Sequence, residues 1–169
     1  MDYEASIYVP SRIEFLELLH TFVESFMALK QYDPDDIYRA TFATREMTAN
    51  SMENAHGWKA EIPLQLYLRD EENGIRIYMR DMGSSYFDPA ARADKVSYEI
   101  SKKDGHEIVE MIGKRRAKKR GEKGSQPSTG LGCFLASQFA ELDSRRWSHE
   151  GEEGNETEIF IRKVVAELV

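Results

Sequence analysis

Cysteine is almost absent from the chain: Cys133 is the only one in 169 residues. A disulfide framework is therefore excluded, and so is a cysteine-rich metal site. Such usage fits a reducing compartment. The four histidines, His20, His56, His106 and His149, show no metal-ligand spacing. No apolar run approaches the roughly 20 residues needed to span a bilayer. Residues 1–5 carry two acids and no base, unlike a secretory leader, so the cytoplasm is the expected location and no membrane partner is expected.

Positive charge is scarce outside one stretch. Lys114 to Lys123 reads KRRAKKRGEK, seven bases and one acid, in a chain of net charge −7. The rest of the chain therefore carries −13. An acidic body with one basic segment points to an anionic visitor: phosphates, a nucleic acid, or an acidic protein face. The run contains no aromatic residue, so base stacking on it is unsupported, and nucleic acid is not the expected partner.

The composition that remains, 41% hydrophobic and 31% charged, is ordinary for a globular protein. The length predicts one domain over residues 1–169. Ser6 to Val9 reads as a short strand ended by Pro10. Ser11, with Glu14 three residues on, predicts a capping box for a helix to about Lys30. Its apolar face runs through Ile13, Leu16, Leu19, Phe22, Val23, Phe26 and Met27. Asp33-Pro34 predicts a second helix start, with Gly57 closing it after His56.

Ile62 to Arg69 and Ile75 to Arg80 alternate and read as a hairpin around Glu72-Asn73-Gly74. From Ala90 to Thr129 little clean periodicity is visible, apart from a short helix over His106 to Ile112. Leu131 to Leu142 reads as a helix, Arg145 to Ser148 as a strand, and Thr157 to Val164 as the last strand. Interleaved helices and hairpins predict an α/β fold, specifically an α+β two-layer sandwich. Its sheet would be mixed but mostly antiparallel, with helices on one face and a long loop.

Three motifs carry chemistry. Glu46-Met47-Thr48-Ala49-Asn50 places a carboxylate and a carboxamide one helical turn apart on one face. Asn50 offers a neutral oxygen to a hard cation such as Mg²⁺, and Glu46 can take a proton beside the same phosphate. Asp81-Met82-Gly83 ends a strand in a glycine turn. A carboxylate there can accept from an exocyclic amine such as adenine N6, and Gly83 lets the backbone approach a flat ring. Ser128-Thr129-Gly130-Leu131-Gly132 opens a helix, where free N–H groups make an anion site. No Gly-Lys-Ser/Thr follows, so it is not a Walker loop.

In order and context these motifs resemble the N, G1 and G2 boxes of the GHKL (histidine-kinase-type) ATPases. Within that superfamily the chain most resembles the short anti-sigma-factor serine kinases. Arg45 to Asn50 resembles the N box. Arg80 to Gly83, with Phe87-Asp88-Pro89, resembles the G1 box. Gly130 to Gly132 resembles the G2 box, and Gly154 to Thr157 the final Gly/Thr box. Two positions depart from the family pattern: Asn54 stands eight residues after Glu46, where a histidine is usual, and Ser85 replaces a second glycine.

The resemblance implies ATP and Mg²⁺ as cofactors. Glu46 would be the general base, Asn50 the Mg²⁺ ligand and Asp81 the adenine acceptor, with Gly83 backing the ring. Thr129, Gly130, Leu131 and Gly132 would close over the phosphates, and Thr157 would help hold the base. Residues from about 90 to 129 would form a lid. The implied activity is a protein serine/threonine kinase that switches partners, a sigma factor or an antagonist protein, as a homodimer. Two alternatives stay open: a sequestering module without catalysis, and a basic-lid protein that binds nucleic acid.

Overall fold

The computed structural model describes residues 3–120 and 131–164. Five strands form one open sheet: β1 (Ala5–Pro10), β2 (Pro63–Glu71), β3 (Gly74–Asp81), β4 (Glu141–His149) and β5 (Glu152–Arg162). Their spatial order is β1-β2-β3-β5-β4, and all four pairings are antiparallel. The helices are α1 (Leu16–Leu29), α2 (Pro34–Asn54), α3 (Pro89–Ser101), α4 (Gly105–Arg120) and α5 (Gly132–Ser137).

Strand alternation decides which residues meet the helices. Leu64, Leu66 and Leu68 of β2, Ile75, Ile77 and Met79 of β3, and Ile159 and Ile161 of β5 form one fully buried face. Leu19, Val23 and Met27 of α1 and Ala40, Ala43 and Met47 of α2 pack on it at helical spacing. This is the two-layer α/β arrangement. The opposite face carries Tyr67, Tyr78 and Phe160, with Arg80 stacked over Tyr67 at 5.0 Å and bonded to Glu156 at 2.5 Å.

α2 begins as its sequence predicts. The Asp33 carboxylate accepts from Asp35 N at 2.9 Å, and Pro34 occupies the first turn. Gly57 and Trp58, at φ +58° and +57°, turn the chain away in left-handed geometry. Trp58 N donates back to Met52 O at 2.8 Å.

Three expectations need correction. Ser11 does not cap a helix. Its hydroxyl donates to Ile62 O at 2.8 Å and meets His56 Nδ1 at 2.5 Å, so it ties β1 to the chain beyond α2. Residues 90–120 are largely helical rather than loop. Asp88 caps α3 by accepting from Ala91 N at 3.0 Å, with Pro89 behind it, the same signal that starts α2. Asp104 and Glu107 form a reciprocal capping box at 2.9 and 3.0 Å, which starts α4. The helix expected over 131–142 stops at Ser137, because Leu142 is drawn into β4 opposite Ile159. Sheet pairing there overrides local helix propensity.

Candidate nucleotide site

α2 lines up the first motif. Asn50 and Asn54, one turn apart, are joined by hydrogen bonds from Asn54 Nδ2 to Asn50 O and Oδ1, both 2.9 Å. Asn50 Oδ1 retains a second lone pair for another partner. Glu46 lies one turn back and is half-buried. A methyl group on Gly132 would come within 3.2 Å of Glu46 Oε2, so this carboxylate sits against the start of α5. Burial pushes its pKa up, opposed by the Arg45 guanidinium.

β3 delivers the second motif. Asp81 is buried at the strand end, and its two oxygens are unequally used. Oδ1 accepts from Gly83 N at 2.9 Å, Asn155 N at 3.3 Å and Asn155 Nδ2 at 3.2 Å. Oδ2 accepts only from Ser51 Oγ, at 2.9 Å, among the described residues. A cavity of about 160 Å³ opens beside it, lined by Asn50, Ser51, Asn54, Ala55, Asp81, Asn155 and the loop Gly83–Phe87. A Cβ on Gly83 would meet Asn155 Nδ2 at 2.9 Å and Asp81 Oδ1 at 3.0 Å, so only glycine lets the loop lie this close to the carboxylate. More open depressions lie at two hairpin ends, lined by residues 148–153 and by a charged group around Glu71, which already pairs with Arg69 and Arg76.

The predicted residues thus converge in large part. Glu46, Asn50, Asp81, Gly83 and Gly132 lie along one side of α2 and the end of β3. Leu131 is buried, and its carbonyl accepts from Leu135 N at 2.9 Å to start α5. Thr129 and Gly130 lie outside the described residues, as do residues 121–128 of the expected lid. Thr157 is buried opposite Met79, deeper in the sheet, and does not line the cavity; Asn155, one alternation nearer the strand end, does.

Four residues at the site escaped the sequence reading: Ser51, His56, Arg146 and Asn155. His56 is buried and holds the loop start, its Nε2 accepting from Met82 N at 2.7 Å. The Ser11 proton goes to Ile62 O, so His56 Nδ1–H donates to Ser11 Oγ. Both bonds together require the neutral ring. Burial holds the His56 pKa below its ordinary value of 6.5, with the Asp81 carboxylate opposing. The unfolded chain therefore takes up more protons than the folded one once pH falls below that value. The stability from neutral His56 is complete above about pH 6.5 and is lost progressively below it. Between about pH 7.5 and 5.5 the melting temperature should fall more steeply for the wild type than for His56→Asn. Parallel pH profiles would remove the ring from this role.

No curated protein matches the chain. A structural match exists to a chain in "The crystal structure of SiaB-SiaC complex from Pseudomonas aeruginosa", with TM-score 0.53 and 11% identity, covering 94% of this chain and 91% of that one. At that identity the likeness is one of fold. The sequence model for the histidine kinase-like ATPase domain matches residues 9–161, from the last two residues of β1 through nearly all of β5, and includes every motif above. The chain belongs to the histidine kinase-like ATPase domain family.

Proposed function

We propose that this protein binds ATP with Mg²⁺ and acts as a serine/threonine kinase that regulates a partner protein by phosphorylation and partner switching. The observation that carries the reading is the unequal use of the Asp81 carboxylate. Its Oδ1 is saturated by three donors while Oδ2 takes one, beside a cavity with room for a heterocyclic ring. An adenine amine donating to Oδ2 completes that carboxylate, and the Gly83 backbone flanks the ring. Asn50, Glu46 and the start of α5, farther along α2, would then hold the triphosphate.

The donor set fits both groups. Mg²⁺ prefers oxygen ligands and keeps several waters, so a single carboxamide such as Asn50 Oδ1 suffices, and the ion would neutralise phosphate charge. Glu46 accepts the proton of a serine or threonine hydroxyl as its oxygen attacks the terminal phosphorus, and ADP leaves. A carboxylate whose pKa is raised by burial is a better base near neutral pH than an exposed one. Leu131 and Gly132, at the start of α5, would meet the phosphates; the same role expected of Thr129 and Gly130 falls outside the described residues.

A protein partner is supported by the fold neighbour, which occurs in a complex of two proteins. A sigma factor or its antagonist, engaged by a homodimer, is the partner we infer. No helix among the described residues is long and apolar enough to cross a membrane. Asn54 and Ser85 favour a second reading, a nucleotide-sensing domain that sequesters a partner without phosphorylating it. Transfer of labelled phosphate in the presence of a captured partner separates the two.

The first test is calorimetric titration of ATP, with and without Mg²⁺, into the wild type and Asn50→Ala. The wild type should bind more tightly with the metal, and the variant should lose that difference while still binding the base. Absence of heat at millimolar ATP would remove both readings at once.

A further inference from the structure

The loop Met82–Phe87 is fastened from three directions by side chains outside it. His56 accepts from Met82 N, Arg146 Nη1 donates to Gly83 O at 2.5 Å, and Asn155 takes the far end. Asn155 is buried, and its carboxamide is fully used. Nδ2 donates to Asp81 Oδ1 at 3.2 Å and to Ser85 O at 3.0 Å. Oδ1 accepts from Phe87 N at 3.3 Å and Arg146 Nη1 at 3.4 Å. A carboxamide has two donor hydrogens and two acceptor lone pairs, and all four have partners here.

We propose that Asn155 is the positioning residue for base selectivity: it occupies Asp81 Oδ1, so that Oδ2 alone, fixed in direction, is offered to the base. The inference rests on the nucleotide reading above and deepens it. A free carboxylate can rotate and accept from many directions, and water can serve either oxygen. With Oδ1 locked by Asn155 and the Gly83 amide, the carboxylate plane is set. A group reaching Oδ2 must then bring a donor hydrogen at one angle, as an exocyclic amine does. A carbonyl at the same position meets a carboxylate oxygen lone pair to lone pair and is refused. Selectivity of this kind arises when a buried polar group is left unpaired by the wrong ligand. Asn155 touches no ligand atom in this account and acts through Asp81 and the loop.

The test compares ATP with inosine triphosphate, which has a carbonyl in place of the 6-amino group. Affinities are measured by calorimetry on the full chain for the wild type, Asn155→Ala and Arg146→Ala. Asn155→Val fills more of the space without any side-chain donor for Asp81 Oδ1, and it replaces the alanine variant if that one unfolds. The wild type should prefer ATP, and Asn155→Ala should reduce the ATP-to-inosine ratio by about tenfold, the usual scale for one hydrogen bond to a charged group. Arg146→Ala holds the loop less firmly but keeps all three donors on Asp81 Oδ1, where Asn155→Ala leaves only the two backbone amides, so both affinities should fall together with the ratio kept. A ratio unchanged in Asn155→Ala, with the wild type still preferring ATP, would overturn the role of Asn155 alone. A wild type that binds neither nucleotide would overturn it together with the nucleotide reading beneath it.

Discussion

Glu46→Gln should lower phosphoryl transfer by about 10²- to 10⁴-fold, the usual worth of a positioned general base, while ATP affinity stays within about twofold. The substitution keeps the shape and the position against Gly132 but removes the proton acceptor. The fold should not suffer. Burial raises the Glu46 pKa, so the folded protein holds this proton more tightly than the unfolded chain. The stability linked to protonated Glu46 is full below its ordinary value of 4.5 and is lost as pH rises through the folded value. Above the folded value the ionised, desolvated carboxylate is therefore a burden, and glutamine should raise the melting temperature there. Near pH 4 the two proteins should melt alike. Loss of ATP binding together with transfer would show that Glu46 belongs to the binding site rather than to proton transfer.

Gly154→Ala is expected to cost about 3 kcal/mol or more, which places it at the upper end of overpacking substitutions. A Cβ at this position would lie 1.7 Å from Asp81 O, 2.7 Å from Asp81 C and 3.0 Å from Met82 Cα. All three atoms are backbone, so no side chain can swing aside. Asp81 O also accepts from Trp147 Nε1 at 3.1 Å, and the substitution intrudes on that bond. The β3–β5 ladder must open where it delivers Asp81 to the cavity. The melting temperature should drop by roughly 6–12 °C for a protein of this size, and ATP binding should go with it. Gly113→Ala is the control. A Cβ there meets nothing within 4 Å on the exposed side of α4, and alanine favours a helix over glycine. Equal melting of Gly154→Ala and the wild type would mean that the strand end can yield without disturbing Asp81.

What the sequence disclosed depends on where the deciding physics lies. The motifs on α2 and at the end of β3 were legible because each is defined by residues at local spacing. An i, i+4 pair and an Asp-x-Gly turn can both be read from one stretch of chain. The alternating strands 62–69 and 75–80 and the apolar face of α1 were legible for the same reason. α3 was missed although Asp88-Pro89 repeats the signal of Asp33-Pro34, because the polar helix after it has only Ala93 and Val96 facing inward beyond its first residue. Ser11 shows the limit of a local rule. Its spacing to Glu14 fits a capping box, but His56, 45 residues away, and Ile62 hold its hydroxyl instead.

Asn155 and His56 show a second limit. Each acts by tertiary hydrogen bonds to loop 82–87, and no spacing along the chain records them. Strand alternation put Thr157 and Asn155 on the same face, but only the meeting of β3 and β5, with Asn155 opposite Asp81, shows which one reaches the carboxylate. The basic run begins within α4, where Lys114 pairs with Glu110 and Arg115 with Glu99. Part of its charge is thus paired within α4 and against α3 rather than offered to a ligand.

Asp81 is the proposed acceptor for the base of ATP. The measurement that reaches it most directly is titration of ATP·Mg²⁺ into the wild type and Asp81→Asn, with melting curves on both. Asparagine preserves the size of the side chain but replaces the charged acceptor. The account predicts that both proteins fold and that affinity falls at least about tenfold in the variant, as expected for losing a hydrogen bond to a carboxylate. Equal affinity in two folded proteins would place the nucleotide somewhere other than the cavity at the end of β3.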